Sequence, residues 1–137
     1  MIKELELIKP QLSPFKLIRI GGDKDGAYLL PNDLKDIEAC FSPGVCNSKK
    51  FEDHLAIQYH IKSFMCDYSS DIKNFKTKLI KNMQFFEKKW LDINKDRNNI
   101  SLENWIKKNT DNEENDLILQ MDIEGAEYKN LLSCPIK

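Results

Sequence analysis

Apolar residues in this chain fall into short runs, and between them apolar positions recur at helical spacing. Residues 15–20 (FKLIRI) and 27–30 (AYLL) flank the Gly- and Asp-rich GGDKDG, a pattern that predicts a β-hairpin. Residues 38–47 (EACFSPGVCN) read as a strand running into a Pro-Gly turn. Ser48 stands where a helix N-cap belongs. Phe51, Leu55 and Tyr59 then recur at i, i+4 and i+8, one face of a helix. Residues 62–67 (KSFMCD) form a second strand that ends in an acid. Ile72, Phe75, Leu79 and Ile80 predict the next amphipathic helix, and residues 83–86 (MQFF) a third strand with Glu87 at its end. Residues 92–99 are a polar loop. Ser101 caps a helix whose Leu102, Trp105 and Ile106 share a face. An acidic turn at 111–115 leads into a fourth strand at 117–121 (LILQM), and a last helix covers 126–132.

This alternation of strand and helix implies an α/β fold, with a parallel sheet, helices on both faces and right-handed crossovers. A nearly continuous apolar run such as 117–121 predicts a strand buried on both sides. Residues 1–15 form a leader in which Glu4, Leu5, Leu7 and Ile8 suggest a helical turn, ended by Pro10 and Pro14. Residues 16–137 then make one domain, and a chain of 137 residues suits one modest domain.

Charge and cysteine usage narrow the picture. The net charge of −1 gives no electrostatic reason to expect nucleic acid or an anionic membrane as partner. No apolar run approaches the roughly 20 residues of a membrane span, and the first residues lack the apolar core of a signal peptide. Cys40, Cys46, Cys66 and Cys134 contain no C-x-x-C pair, so zinc is not expected. Three of them lie in or beside apolar runs, as small buried thiols of a reduced, cytoplasmic protein do.

The candidate chemistry centres on residues 116–128, DLILQMDIEGAEY. Asp122, Glu124 and Glu127 follow the strand's carboxyl end, where open α/β sheets bind ligands. The same acids would equally serve as the acidic first turn of a helix. Gly44 sits at a strand–turn–helix junction, where a backbone can approach a ligand closely. With a single glycine, the turn matches neither G-x-G-x-x-G nor the P-loop. Asp67 follows Gly44 by about 20 residues, the spacing of a ribose-binding carboxylate, though it could instead cap the next helix. The 21–26 loop is either a plain surface turn or a flap laid over a ligand, with Asp23 and Asp25 as its polar contacts.

Five stretches occur together in one order: RIGGDKDGAYLL, SPGVCNSKKFE, MCDYS, SLENWI and MDIEGAEY. On these the chain resembles the FkbM-type methyltransferases, a branch of the class I S-adenosylmethionine-dependent enzymes, over residues 16–132. The resemblance implies a Rossmann-like three-layer αβα sandwich that binds S-adenosyl-L-methionine and methylates a hydroxyl on a small molecule or sugar. It implies that Ser42 and Gly44 meet the methionine part of the cofactor, Asp67 the ribose and Glu87 the adenine. Asp122, Glu124 and Glu127 would line the cofactor and acceptor end, with Asp25 and Glu127 toward the acceptor. Asp122 would accept the acceptor's proton or hold a metal ion. Carboxylate oxygens suit Mg²⁺, but one or two ligands do not support it. Class I enzymes carry three further strands. Without them the 117–121 strand becomes a sheet edge, to be covered by the rest of a longer enzyme or by a second copy in a homo-oligomer. Two other functions stay open: a non-catalytic cofactor-binding module and a nicotinamide-dependent oxidoreductase. The missing G-x-G-x-x-G counts against the oxidoreductase.

Overall fold

The computed structural model describes residues 9–111 and 115–135. The helical turn expected at 4–8 lies outside them, as does most of the acidic turn at 111–115. The described chain is an α/β structure. It opens with an antiparallel hairpin, β1 (Leu17–Ile20) and β2 (Tyr28–Pro31), in register from Leu17↔Pro31 to Ile20↔Tyr28. β3 (Ala39–Pro43) follows, then the short helix α1 (Lys50–His54), which widens into a π-helical turn at Leu55–Tyr59. β4 (Lys62–Cys66) and β5 (Gln84–Glu87) come next, and then two small strands, β6 (Trp90–Leu91) and β7 (Asn99–Ile100), around the polar loop. Helix α2 (Leu102–Asn109), β8 (Leu117–Leu119) and helix α3 (Glu127–Ser133) complete the order.

β5, β4, β3 and β8 lie side by side in that order, all parallel. β3 is buried along its whole length. Its side chains alternate between two cores, as a strand's must. Ala39 and Phe41 join Phe64, Cys66, Leu91, Leu102 and Trp105 on one face, under α2. Cys40 faces Ile20, Phe51, Leu55 and Ile61 on the other, under α1 and the hairpin. Phe41 stacks on Phe64 at 5.2 Å and Phe64 on Phe85 at 5.1 Å, while Trp105 meets Phe41 edge-on at 5.1 Å. These rings carry one core across three strands. No helix among the described residues is long and apolar enough to cross a membrane.

Three local expectations are corrected. The helix expected over 72–80 is a single 3₁₀ turn, Ile72–Asn74, capped by the Asp71 side chain. Beyond it, hydrogen bonds to side chains anchor the segment in place of a helical ladder. Gln84 Oε1 accepts from the Ile80 amide at 3.0 Å, and Asp53 Oδ2 accepts from the Thr77 hydroxyl at 2.7 Å. Ser48 does not cap α1. Its amide bonds to the Val45 carbonyl at 3.1 Å, and the helix starts after Lys49 without a side-chain cap. β8 is half-buried rather than covered on both sides. It pairs with β3 alone among the described residues, and Leu119 is 39% exposed.

Trp105 is fully buried at the meeting point of α2 and the aromatic row. Trp105→Ala should cost about 3–5 kcal/mol, as a large ring lost from a packed core does. Urea unfolding followed by circular dichroism checks this. A loss under about 1 kcal/mol, the scale of a surface change, would mean that α2 does not close this core.

Candidate functional site

The chain runs from β3 outward to β4 and β5, then crosses back to place β8 on β3's other side. The strand order therefore reverses between β3 and β8, the place where open α/β sheets leave a crevice at their carboxyl ends. Gly44 stands there. Its φ is +84°, and a Cβ on it would overlap the backbone carbonyl of Asp122. The Asp122 amide donates to the Pro43 carbonyl at 3.3 Å, and the Gly44 amide to the Cys66 carbonyl at 2.9 Å. The missing side chain thus lets three strand ends meet.

Beside this junction is a cavity of about 120 Å³ lined by Asp25, Tyr28, Gly44, Glu52, Gln120 and Asp122, among others. The hairpin forms its outer wall. The Gly21 amide donates to Nδ1 of His54 at 3.3 Å, which pins the hairpin to α1. Tyr28 packs edge-on against Phe51 at 5.7 Å, and its hydroxyl accepts from Nε2 of Gln120 at 3.2 Å. Burial raises the Tyr28 phenol above its usual range, and the Asp122 and Asp25 carboxylates add to the rise. Glu52 is 1% exposed. Burial pushes its carboxyl upward, against the lowering effect of the Ser42 hydroxyl beside it. The lining holds three carboxyl groups and no lysine, arginine or histidine.

Of the residues singled out in the sequence, Asp25, Gly44 and Asp122 come together in this lining. Ser42 is buried, and its hydroxyl lies 3.3 Å from Sγ of Cys40. Asp67 stands next to the cavity but binds its own chain. Oδ2 accepts from the Cys46 amide at 2.8 Å, and Oδ1 accepts from the Ser69 amide at 2.8 Å and hydroxyl at 2.6 Å. It thereby ties the turn after Gly44 to the end of β4 and holds Cys46 at φ +50°. The other acids lie outside the lining. Glu87 pairs with Lys108 of α2 at 2.8 Å. Glu127 turns back to accept the Ile123 amide at 2.8 Å, and backbone hydrogen bonds hold its carboxyl below the usual range. For Glu127 the acidic first turn is therefore what the structure contains. Glu124 is exposed, at φ +55°, in the reversal before Gly125.

Glu52, Tyr28 and Gln120 were not singled out as site residues. Tyr28 and Gln120 lie in runs that read as plain strand. Glu52 follows Phe51 directly, so helical periodicity alone places it off the apolar face. Among the described residues, no three His, Cys, Asp or Glu side chains are grouped as a metal site. No family model matches the chain, and no curated protein or solved structure matches it.

Two measurements test this construction. Gly44→Ala should lose well over the roughly 1–2 kcal/mol that a positive φ alone costs a residue with a Cβ. Gly22→Ala, at φ +96° with open space around its Cβ, should lose only that amount. Equal losses in urea unfolding would refute the close approach at Gly44. The second concerns Glu52, whose carboxyl is raised in the folded state. Below the unfolded carboxyl range both states are protonated and Glu52 adds no pH dependence to stability. As pH rises, the unfolded state ionises first, so stability is lost toward neutrality. Glu52→Gln removes that loss. Its stability relative to the native chain should improve between about pH 4 and pH 7, and a constant difference would contradict the assignment.

Proposed function

We propose that this chain is the S-adenosyl-L-methionine-binding part of an O-methyltransferase, with a Rossmann-like αβα arrangement and a hydroxyl of a small molecule or sugar as acceptor. The observation that carries the reading is the acid-lined cavity at the strand-order reversal, with no basic residue in its lining. Such a cavity favours a ligand with positive charge and repels phosphates. S-adenosylmethionine carries an ammonium and a sulfonium against one carboxylate, a net positive charge. A dinucleotide carries a diphosphate, so the same lining weighs against a nicotinamide cofactor.

The residues fit the cofactor in part. The cavity has room for its methionyl end rather than the whole molecule, so Gly44 would meet that end, while Ser42, buried outside the lining, would act through the Glu52 carboxyl beside it. Asp67 already accepts three hydrogen bonds, which leaves about one of a carboxylate's roughly four acceptor positions for a ribose hydroxyl. The cofactor supplies an electrophilic methyl group. This chain's part is orientation, which is worth several kcal/mol, and handling of the acceptor's proton. Asp122, exposed at the cavity mouth, is the carboxylate placed to take that proton. That exposure also favours a second reading, a cofactor-binding module without turnover, because a base open to water works less well than a sheltered one. A cytoplasmic setting belongs to the proposal, and all four cysteines are free thiols.

Calorimetric titration with S-adenosylhomocysteine and with NAD tests the reading. Binding of the first and not of the second is expected, and the reverse would overturn it. Asp122→Asn should keep its affinity for S-adenosylhomocysteine while methyl transfer to an accepted hydroxyl falls about a hundredfold. Full transfer in that variant would remove Asp122 from the chemistry.

A further inference from the structure

We propose that Glu52 is the anchor of this cavity for a primary ammonium group, the amino end of the ligand's methionyl part. The proposal rests on the cavity being the cofactor site, and it assigns a role to a residue in the first helix that the strand-end acids do not fill. Glu52 is 1% exposed and lines the cavity. Among the described residues it has no ion-pair partner. The nearby buried cation, Lys49, is bonded elsewhere, to Asp53 and to Oε1 of Gln84 at 2.9 Å. Its neighbour Ser42 is a neutral hydroxyl. A carboxyl group buried without a cation destabilises the fold unless something compensates it. The raised proton affinity of Glu52 expresses that cost.

The surroundings define what would compensate it. A guanidinium is broad and planar and needs a forked partner. An ammonium is compact and carries three donors. Around a group of that size the cavity offers the Glu52 carboxyl, the Tyr28 hydroxyl, the Gln120 side chain and the Asp122 carboxylate. A carboxylate inside the cavity would meet like charges, so the carboxylate of a methionyl group has to point outward, past the rim. The selectivity expected is therefore for an amine, with Glu52 as its inner contact and Asp25 and Asp122 at the rim.

The experiment compares two ligands that differ at this end. S-adenosylhomocysteine has the ammonium, and 5′-methylthioadenosine lacks the whole amino-acid part. Glu52→Gln should weaken the first by about tenfold or more, the scale of a charged hydrogen bond, and leave the second unchanged. Equal affinity of the variant and the native chain for S-adenosylhomocysteine overturns the role of Glu52 and leaves the cofactor reading standing. If the native chain binds neither ligand, the cofactor reading falls, and a second measurement decides on Glu52 alone. L-methioninamide, an amine without a carboxylate, is titrated into the ¹⁵N-labelled native chain, with N-acetyl-L-methionine as the control. Shifts of the Gly44, Cys46 and Glu52 amides with the amine only are expected. Their absence, or equal shifts with the acetylated compound, overturns the proposal without reliance on any variant folding.

Discussion

The structure turns on one backbone contact, that between Gly44 and the carbonyl of Asp122. β3 can be flanked by β4 on one side and β8 on the other only if their ends fit together. At the carboxyl end that fit requires a residue with positive φ and no Cβ. The Gly44 amide then reaches Cys66, and the Asp122 amide reaches Pro43. Asp67 secures the same junction from the next turn through the Cys46 amide. The residues that could bind a ligand are therefore the ones that set the geometry of the sheet. A substitution among them changes fold and site together, and stability and binding have to be read side by side.

Much of this was legible in the sequence. The four sheet strands and the hairpin are where the apolar runs place them, because short apolar segments bounded by Gly, Pro and acids have few other ways to be buried. Ser101 caps its helix as expected, with its hydroxyl accepting the Asn104 amide. The 72–80 segment was misleading because spacing records which side chains want cover, not how the backbone satisfies its hydrogen bonds. Here the Asp71 and Gln84 side chains accept the Lys73 and Ile80 amides, and Asp53 anchors the Thr77 hydroxyl. The acids after β8 show the same limit at the level of the site. Asp122, Glu124 and Glu127 are adjacent in sequence, yet the turn at Glu124 and Gly125 sends them in different directions. Only Asp122 remains in the cavity lining, while Glu127 closes the turn onto Ile123. Glu52 was illegible for the opposite reason. It is brought to the cavity by tertiary packing, and no local pattern distinguishes it from a solvent-facing acid.

Lys49 and Glu52 sit three positions apart at the start of the same helix, and both are almost completely buried. Their treatment differs. Lys49 is bonded to Asp53 and Gln84. Gln84 in turn donates to Asp53 at 2.9 Å, and Thr77 donates to the other oxygen of that carboxylate. Burial alone would raise the Asp53 carboxyl, but these bonds outweigh it and hold it below the usual range. That network ties α1 to β5 and to the loop before it, and within it every charge has a partner. Glu52 has a hydroxyl neighbour and a cavity. A fold that satisfies one buried charge so fully has the means to satisfy or replace the other. A glutamine or an apolar residue at position 52 would relieve the desolvation cost without disturbing the Lys49 network. On the reading proposed above, an ammonium entering the cavity would compensate the carboxyl at position 52, as Gln84 and Asp53 compensate Lys49.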